Sequence, residues 1–116
     1  MKFGKAAHLR RRREYLAVQD RGRRLFAREL VVLALPNRCG RARLGITVSS
    51  KVANAVVRNR IKRWVREAFR ARAGDWPAVD LVVIARSGAD SVGLDGAREA
   101  LASARRKLAA DGGGAP

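Results

Sequence analysis

A single cysteine, Cys39, and a single histidine, His8, leave this chain little of the side-chain chemistry from which active sites and metal sites are built. One cysteine forms neither an intrachain disulfide nor a thiolate metal cage. The lone histidine lies in a basic N-terminal arm and reads as a bystander, and no Ser/His/Asp set can be assembled around it. The phosphate loops GxxxxGKS/T and GxGxxG are missing. Acids are scarce, 10 in 116 residues, and scattered. Asp75, Asp80, Asp90 and Asp95 stand in or beside loops, where turns and helix caps use them. Long hydrophobic runs are also absent. The longest, residues 30–35, is strand-sized and far short of the roughly 18 residues of a membrane span. Met1 and Lys2 are not followed by the apolar segment of a signal peptide. These absences predict a cytoplasmic protein of a reducing cell. They predict no membrane, no small-molecule substrate, no protein-bound metal or cofactor, and no catalytic residue.

Positive charge is in excess. Lys and Arg number 26, for a formal net charge of +16. Such a field attracts phosphate polymers and gives strongly salt-dependent binding. The hydrophobic content of 47% suits one modest core, so residues 1–116 read as a single RNA-binding domain. Nothing resembles a helix-turn-helix or a zinc finger. Arginine, which suits both phosphate and the faces of bases, favours structured RNA over duplex DNA.

Along the chain, residues 1–8 and 111–116 are expected to be disordered. Residues 9–21 carry a weak helical pattern that stops at Gly22. Tyr15, after four arginines, reads either as a base-stacking residue or as ordinary packing. Residues 29–35 are a continuous apolar strand, with Phe26 and Ala27 just before it. Residues 36–41 form a turn, and residues 43–49 alternate as a half-buried strand. The spacing predicts an antiparallel hairpin between these two. Gly45 suggests a close approach of ligand to backbone. A helix begins between Ala53 and Val57, with Asn54 as its N-cap, and ends near Ala73 and Gly74. Residues 79–86 read as a core strand, residues 87–93 as a loop, and residues 94–109 as a closing helix. A strand–helix–strand order implies a parallel pair across the middle helix. The fold class is α/β (α+β): a two-layer sandwich of three helices on a small mixed sheet of about four strands.

That middle helix is the most informative stretch. At about 100° per residue, Val57, Ile61, Trp64, Val65 and Ala68 share one narrow arc, with Phe69 at its edge. Arg60, Lys62, Arg63, Arg66 and Arg70 take the rest of the wheel, and Arg58 sits at the boundary. Against these six cations stands one acid, Glu67. A solvated surface helix mixes signs; this one calls for a polyanion.

The run Asn54-Ala55-Val56-Val57-Arg58-Asn59-Arg60-Ile61-Lys62-Arg63, preceded by Gly45-Ile46-Thr47-Val48-Ser49 and Lys51 and followed by Arg66-Glu67-Ala68-Phe69-Arg70, resembles the bacterial ribonuclease P protein family. The likeness extends through Arg11-Arg12-Arg13-Glu14-Tyr15 and Asp80-Leu81-Val82-Val83-Ile84-Ala85-Arg86, covering roughly residues 9–108. It implies a left-handed crossover through the basic helix, against the usual rule. The implied partners are a catalytic RNA and precursor tRNA. In such an enzyme the RNA and the Mg²⁺ it binds cleave the phosphodiester, removing the 5′ leader, and the protein supplies no catalytic group. Carried over by position, Arg58, Asn59, Arg60, Lys62, Arg63, Arg66 and Arg70 would face the catalytic RNA. Arg11, Arg12, Arg13, Tyr15, Val18, Thr47, Lys51 and Arg86 would line a cleft for the single-stranded leader. Three positions depart from the family pattern: Gln19 replaces a second aromatic, Ser49-Ser50 replaces basic residues, and Ala53 replaces a glycine. The first two thin the cleft of stacking and charge and shift leader affinity towards Arg11–Arg13 and Arg86. Composition alone also admits a ribosomal or general structured-RNA-binding protein, or a nucleoid-type DNA binder.

Overall fold

The computed structural model describes residues 8–110. Its elements run α1 (Arg12–Arg21), β1 (Arg23–Ala27), β2 (Leu30–Pro36), β3 (Arg43–Val48), α2 (Ala55–Ala71), β4 (Val79–Ala85) and α3 (Gly93–Ala110). Short 3-10 turns occupy Ala73–Asp75 and Ala89–Ser91. The strands form one mixed sheet in the order β1-β2-β4-β3. Strand β4 is parallel to β3, as the intervening α2 requires, and antiparallel to β2. No helix among the described residues is long and apolar enough to cross a membrane.

The expected hairpin between β2 and β3 does not form, because β4 lies between them. Strand β4 is apolar at six of its seven positions and buried at nearly every one. A strand apolar on both faces belongs in the middle of a sheet, with a neighbour on each side. The hairpin is instead β1–β2, in register from Arg23↔Ala34 to Ala27↔Leu30. Its two-residue turn is Arg28-Glu29, and Arg28 takes the left-handed φ of 61°. Tight hairpins usually place Gly or Asn at such positions. Without that signal, Phe26 and Ala27 read as a lead-in to one strand rather than as part of a separate one.

Alternation along the strands divides the sheet into two faces. One face carries Leu25, Leu30, Val32, Leu44, Leu81 and Val83, packed on Ile61, Val65 and Phe69 of α2 and on Leu101 and Leu108 of α3. Val57 and Trp64 close its margin, half-buried. Phe69, at the edge of the arc by periodicity, is completely buried. The N-cap holds as expected: Asn54 Oδ1 accepts from the Val57 N–H at 3.0 Å. The other face carries Val31, Leu33 and Val82 beneath Leu9 and Val18.

Helix α1 starts at Arg12, three residues later than the sequence pattern suggests. Residues 8 and 9 run beside β3 instead. The Leu9 N–H donates to the Leu44 carbonyl at 3.0 Å, and His8 pairs with Leu44 in a parallel bridge. His8, assigned by the sequence to a disordered arm, is therefore part of the sheet edge. The remaining expected disorder, residues 1–7 and 111–116, lies outside the described residues.

Candidate nucleic-acid interface

The same pattern that buries one side of α2 turns its cations outward. Asn59, Arg60, Arg63, Arg66 and Arg70 are exposed, and Lys62 is half-buried. None of the α2 cations enters an ion pair with a carboxylate among the described residues. Arg58 differs from the rest. It is half-buried, and its Nη1 donates to the Ala53 carbonyl at 2.9 Å, bracing the loop that leads into the helix. Asn59 and Arg60 thus face solvent directly, while Arg58 shares its guanidinium with the fold.

The second surface lies on the opposite face of the sheet. Cross-strand register sets its side chains in rows: Arg43–Asp80–Leu35, then Gly45–Val82–Leu33–Arg24, then Thr47–Ile84–Val31–Phe26. Helix α1 covers the first two. Val18 sits on Leu33 and Val82. The Tyr15 ring lies on Gly45, so closely that a Cβ there would stand 2.6 Å from Tyr15 Cε2 and 2.8 Å from its hydroxyl oxygen. Gly45, read from sequence as an approach for ligand, is the seat of Tyr15. Over the third row the cover thins: Thr47 and Ile84 are half-buried and Phe26 is 52% exposed. Val31 stays buried in the α1 cluster, so the row is open only at its margins, at Thr47 and Ile84 on one side and at Phe26 on the other, with Arg86 just past the end of β4.

A buried ionic network fixes α1 on the sheet. Asp80 accepts from Arg43 Nε and Nη2, both at 2.8 Å, and from Asn37 Nδ2 at 2.8 Å. Arg43 Nη1 also donates to Glu14 Oε2 at 3.1 Å, tying α1 to β3 and β4. Glu14 Oε1 in turn accepts the backbone N–H groups of Arg10 and Arg11 at 2.9 Å and so caps the helix. Those backbone bonds, chiefly, hold the Glu14 carboxyl below the usual value, with Arg43 adding to the effect. The hydrogen bonds to Asp80 raise Arg43 further above its ordinary range. Asp80 is therefore no loop or cap residue, as its scatter in the sequence suggested, but the anchor of a buried pair.

The cleft residues named from the sequence separate into groups. Tyr15 and Thr47 are half-buried on this face of the sheet, while Lys51, after β3, and Arg86, after β4, are exposed. Val18 does not line the cleft: it is completely buried under α1, so no ligand atom reaches it while the helix is docked. Arg11, Arg12 and Arg13 are exposed on the first turn of α1, near the start of β3. That end of the sheet is about 20 Å from Arg86, counting six residues along the strand. His8, just before these arginines, is paired with β3 at the same end of the sheet. There, burial first and then Arg66 and Arg10 push the His8 pKa down. Phe26 is the residue the sequence reading passed over. Its signal was its phase: in β1 it alternates with buried Leu25 and Ala27, which turns it to the α1 face.

A half-covered mixed sheet, and behind it a helix with its cations turned out, define an α+β protein with a strongly basic outer face. The model of the family described as Ribonuclease P matches residues 3–109, and the chain belongs to that family. It is 44% identical over 95 residues to the ribonuclease P protein component of Desulfovibrio desulfuricans, covering 79% of this chain and 73% of that one. To that of Citrifermentans bemidjiense it is 39% identical over 106 residues, 91% of each chain. The Staphylococcus aureus RNase P protein superposes with a TM-score of 0.80 at 33% identity, over 90% of this chain and 96% of that one. The Thermotoga maritima RNase P protein gives 0.74 at 39% identity, over 82% and 91%. The family supplies the protein component of an endoribonuclease complex that processes tRNA, and membership implies an RNA subunit as partner.

Proposed function

We propose that this protein docks on the catalytic RNA of ribonuclease P through the outer face of α2 and holds the 5′ leader of precursor tRNA in the cleft between α1 and the sheet. The observation that carries this reading is the state of the α2 cations: a helix locked into the core on one side presents five cations that no carboxylate of the described residues neutralises. Asn59, Arg60, Arg63, Arg66 and Arg70 form the contact surface, with Lys62 at its margin. Arg58 contributes by shaping the preceding loop. In the cleft, Tyr15 offers a ring to an unpaired base, Thr47 a hydroxyl, and Lys51 and Arg86 charge for phosphates. Arg11, Arg12 and Arg13 extend the basic surface from the cleft towards α2.

Cleavage itself belongs to the RNA and the Mg²⁺ it binds. The described residues contain no group of three or more His, Cys, Asp or Glu side chains able to hold a metal, so no step is assigned to a protein-bound ion. The protein's part is to assemble with the RNA, broaden substrate recognition and steady the leader, in the cytoplasm.

Reconstitution tests the reading. Protein, its catalytic RNA and a precursor tRNA are combined at low Mg²⁺, and 5′ cleavage is followed. The expected result is stimulation by the protein that weakens steeply with salt. No stimulation across protein and salt titrations would favour a general structured-RNA-binding protein instead.

A further inference from the structure

The partly open row of the cleft has an aromatic at its far end that α1 does not supply. Phe26 projects from edge strand β1 onto the α1 face, in register with Val31, Ile84 and Thr47. It is one of three large hydrophobic side chains exposed among the described residues. Leu16 and Val56, the other two, sit on helix surfaces. Phe26 has a cation as its neighbour: the Arg86 guanidinium carbon lies over its ring, 5.6 Å from the centroid. Arg86 is held there, because its Nη2 donates to the Arg28 carbonyl and its backbone N–H to the Glu29 carbonyl at 2.8 Å. From below, Lys107 Nζ donates to the Phe26 carbonyl at 2.6 Å. An exposed ring on an anchored strand, with a fixed guanidinium against it, is preorganised for a planar ligand that carries negative charge. A guanidinium has five donors, and this one has donors to spare for a phosphate.

We propose that Phe26 with Arg86 is a second base-stacking station of the cleft, taking an unpaired nucleotide of the leader away from the one at Tyr15. The proposal rests on the leader reading above. It also accounts for Gln19, where the family often carries an aromatic on α1: the stacking surface missing from the helix is present across the sheet. Three inter-strand steps separate Thr47 from Phe26, about 14 Å at the usual strand spacing. The Tyr15 station, over Gly45, is one row further back. A single nucleotide does not span that distance, so the stations engage different parts of the leader.

The test uses the complex reconstituted from the full chain and its catalytic RNA, with affinities measured for mature tRNA and for precursor tRNAs of graded leader length. Phe26→Ala is expected to weaken binding of long-leader substrate about 5- to 150-fold, the span of one base–aromatic stack. Mature tRNA should be unaffected. Phe26→Tyr should retain affinity, and Phe26→Leu, which keeps the apolar cover of the sheet without an aromatic ring, should lose it. The losses from Phe26→Ala and Tyr15→Ala should set in at different leader lengths. If Phe26→Ala and Phe26→Leu bind long leaders as the native protein does while Tyr15→Ala does not, the Phe26 station is wrong and the cleft stands. If native complex fails to prefer precursor to mature tRNA, the leader reading itself falls, and the station with it. A Phe26→Ala effect confined to self-association of the free protein would also overturn the proposal.

Discussion

The two faces of the sheet are made by the same alternating strands but are covered very differently. On one, α2 and α3 close a continuous core around Phe69, Leu81 and Leu108, and almost nothing apolar is left in solvent. On the other, α1 alone covers two rows and leaves the third, from Thr47 to Phe26, only partly hidden. Fully burying each large apolar side chain contributes about 1.5–3 kcal/mol. The first face therefore carries the stability, which leaves the second free to keep an aromatic and a charged rim exposed. α1 compensates for its short apolar contact with polar fastening, the Glu14–Arg43–Asp80 network.

That contrast can be broken from either side. Phe69→Ala should be the most damaging change, about 3–5 kcal/mol for a large buried aromatic. Denaturant unfolding would show the loss, and an unchanged midpoint would mean that the α2 face is not the structural one. Asp80→Ala leaves the Arg43 guanidinium without its bidentate partner in a largely buried site. About 2–4 kcal/mol is expected in the same assay, with α1 loosened as well. Gly45→Ala should cost about 1–3 kcal/mol by overpacking, because Tyr15 must leave its seat. Precursor tRNA affinity should fall with it, whereas Phe69→Ala, once corrected for the folded fraction, should leave affinity intact.

Smaller effects sharpen the picture of α1. Glu14 has its carboxyl pKa lowered in the folded state from the model-peptide 4.5. Its contribution is therefore fully present above about pH 4.5 and is lost as pH falls through the lower folded value. Glu14→Gln should flatten the stability-versus-pH curve in that acid window and leave the curve above pH 6 parallel to the native one. Arg28→Gly relieves a left-handed residue at the hairpin turn and should stabilise by a few tenths to about 1 kcal/mol, the strain less the entropy of glycine. A loss of stability there would mean that the Arg28 side chain does more than its 80% exposure indicates.

Much of this was legible in the sequence. The apolar arc of α2, its Asn54 cap and its outward cations follow from period and residue type, and the structure places them accordingly. The parallel β3–β4 pair follows from the helix between them. Neighbours in the sheet were harder. Residues 29–35 and 43–49 look like hairpin partners because they are adjacent and linked by Pro36 and Asn37, but the sheet is ordered by which strand is apolar on both faces. Strand β1 was hidden by its turn, where Arg28 adopts a conformation its side chain does not favour. The Asp80–Arg43 pair joins residues 37 apart, and no local pattern announces a pairing of that range. The same holds for the cleft. Tyr15 was visible as an aromatic among arginines, but whether it packs or stacks depended on Gly45 beneath it. Phe26 became visible only once register put it in line with Thr47.

The central claim is a division of labour, with the partner RNA on the α2 face and substrate on the partly open row of the sheet. The most direct measurement is the affinity of the free protein for the catalytic RNA alone, at one salt concentration, for two double variants. Arg60→Ala with Arg63→Ala should weaken assembly by about 1–3 kcal/mol for each charge-assisted hydrogen bond removed. Tyr15→Ala with Phe26→Ala should leave it within experimental error of the native protein. Equal weakening by the two pairs, or weakening by the sheet-face pair alone, would contradict the account.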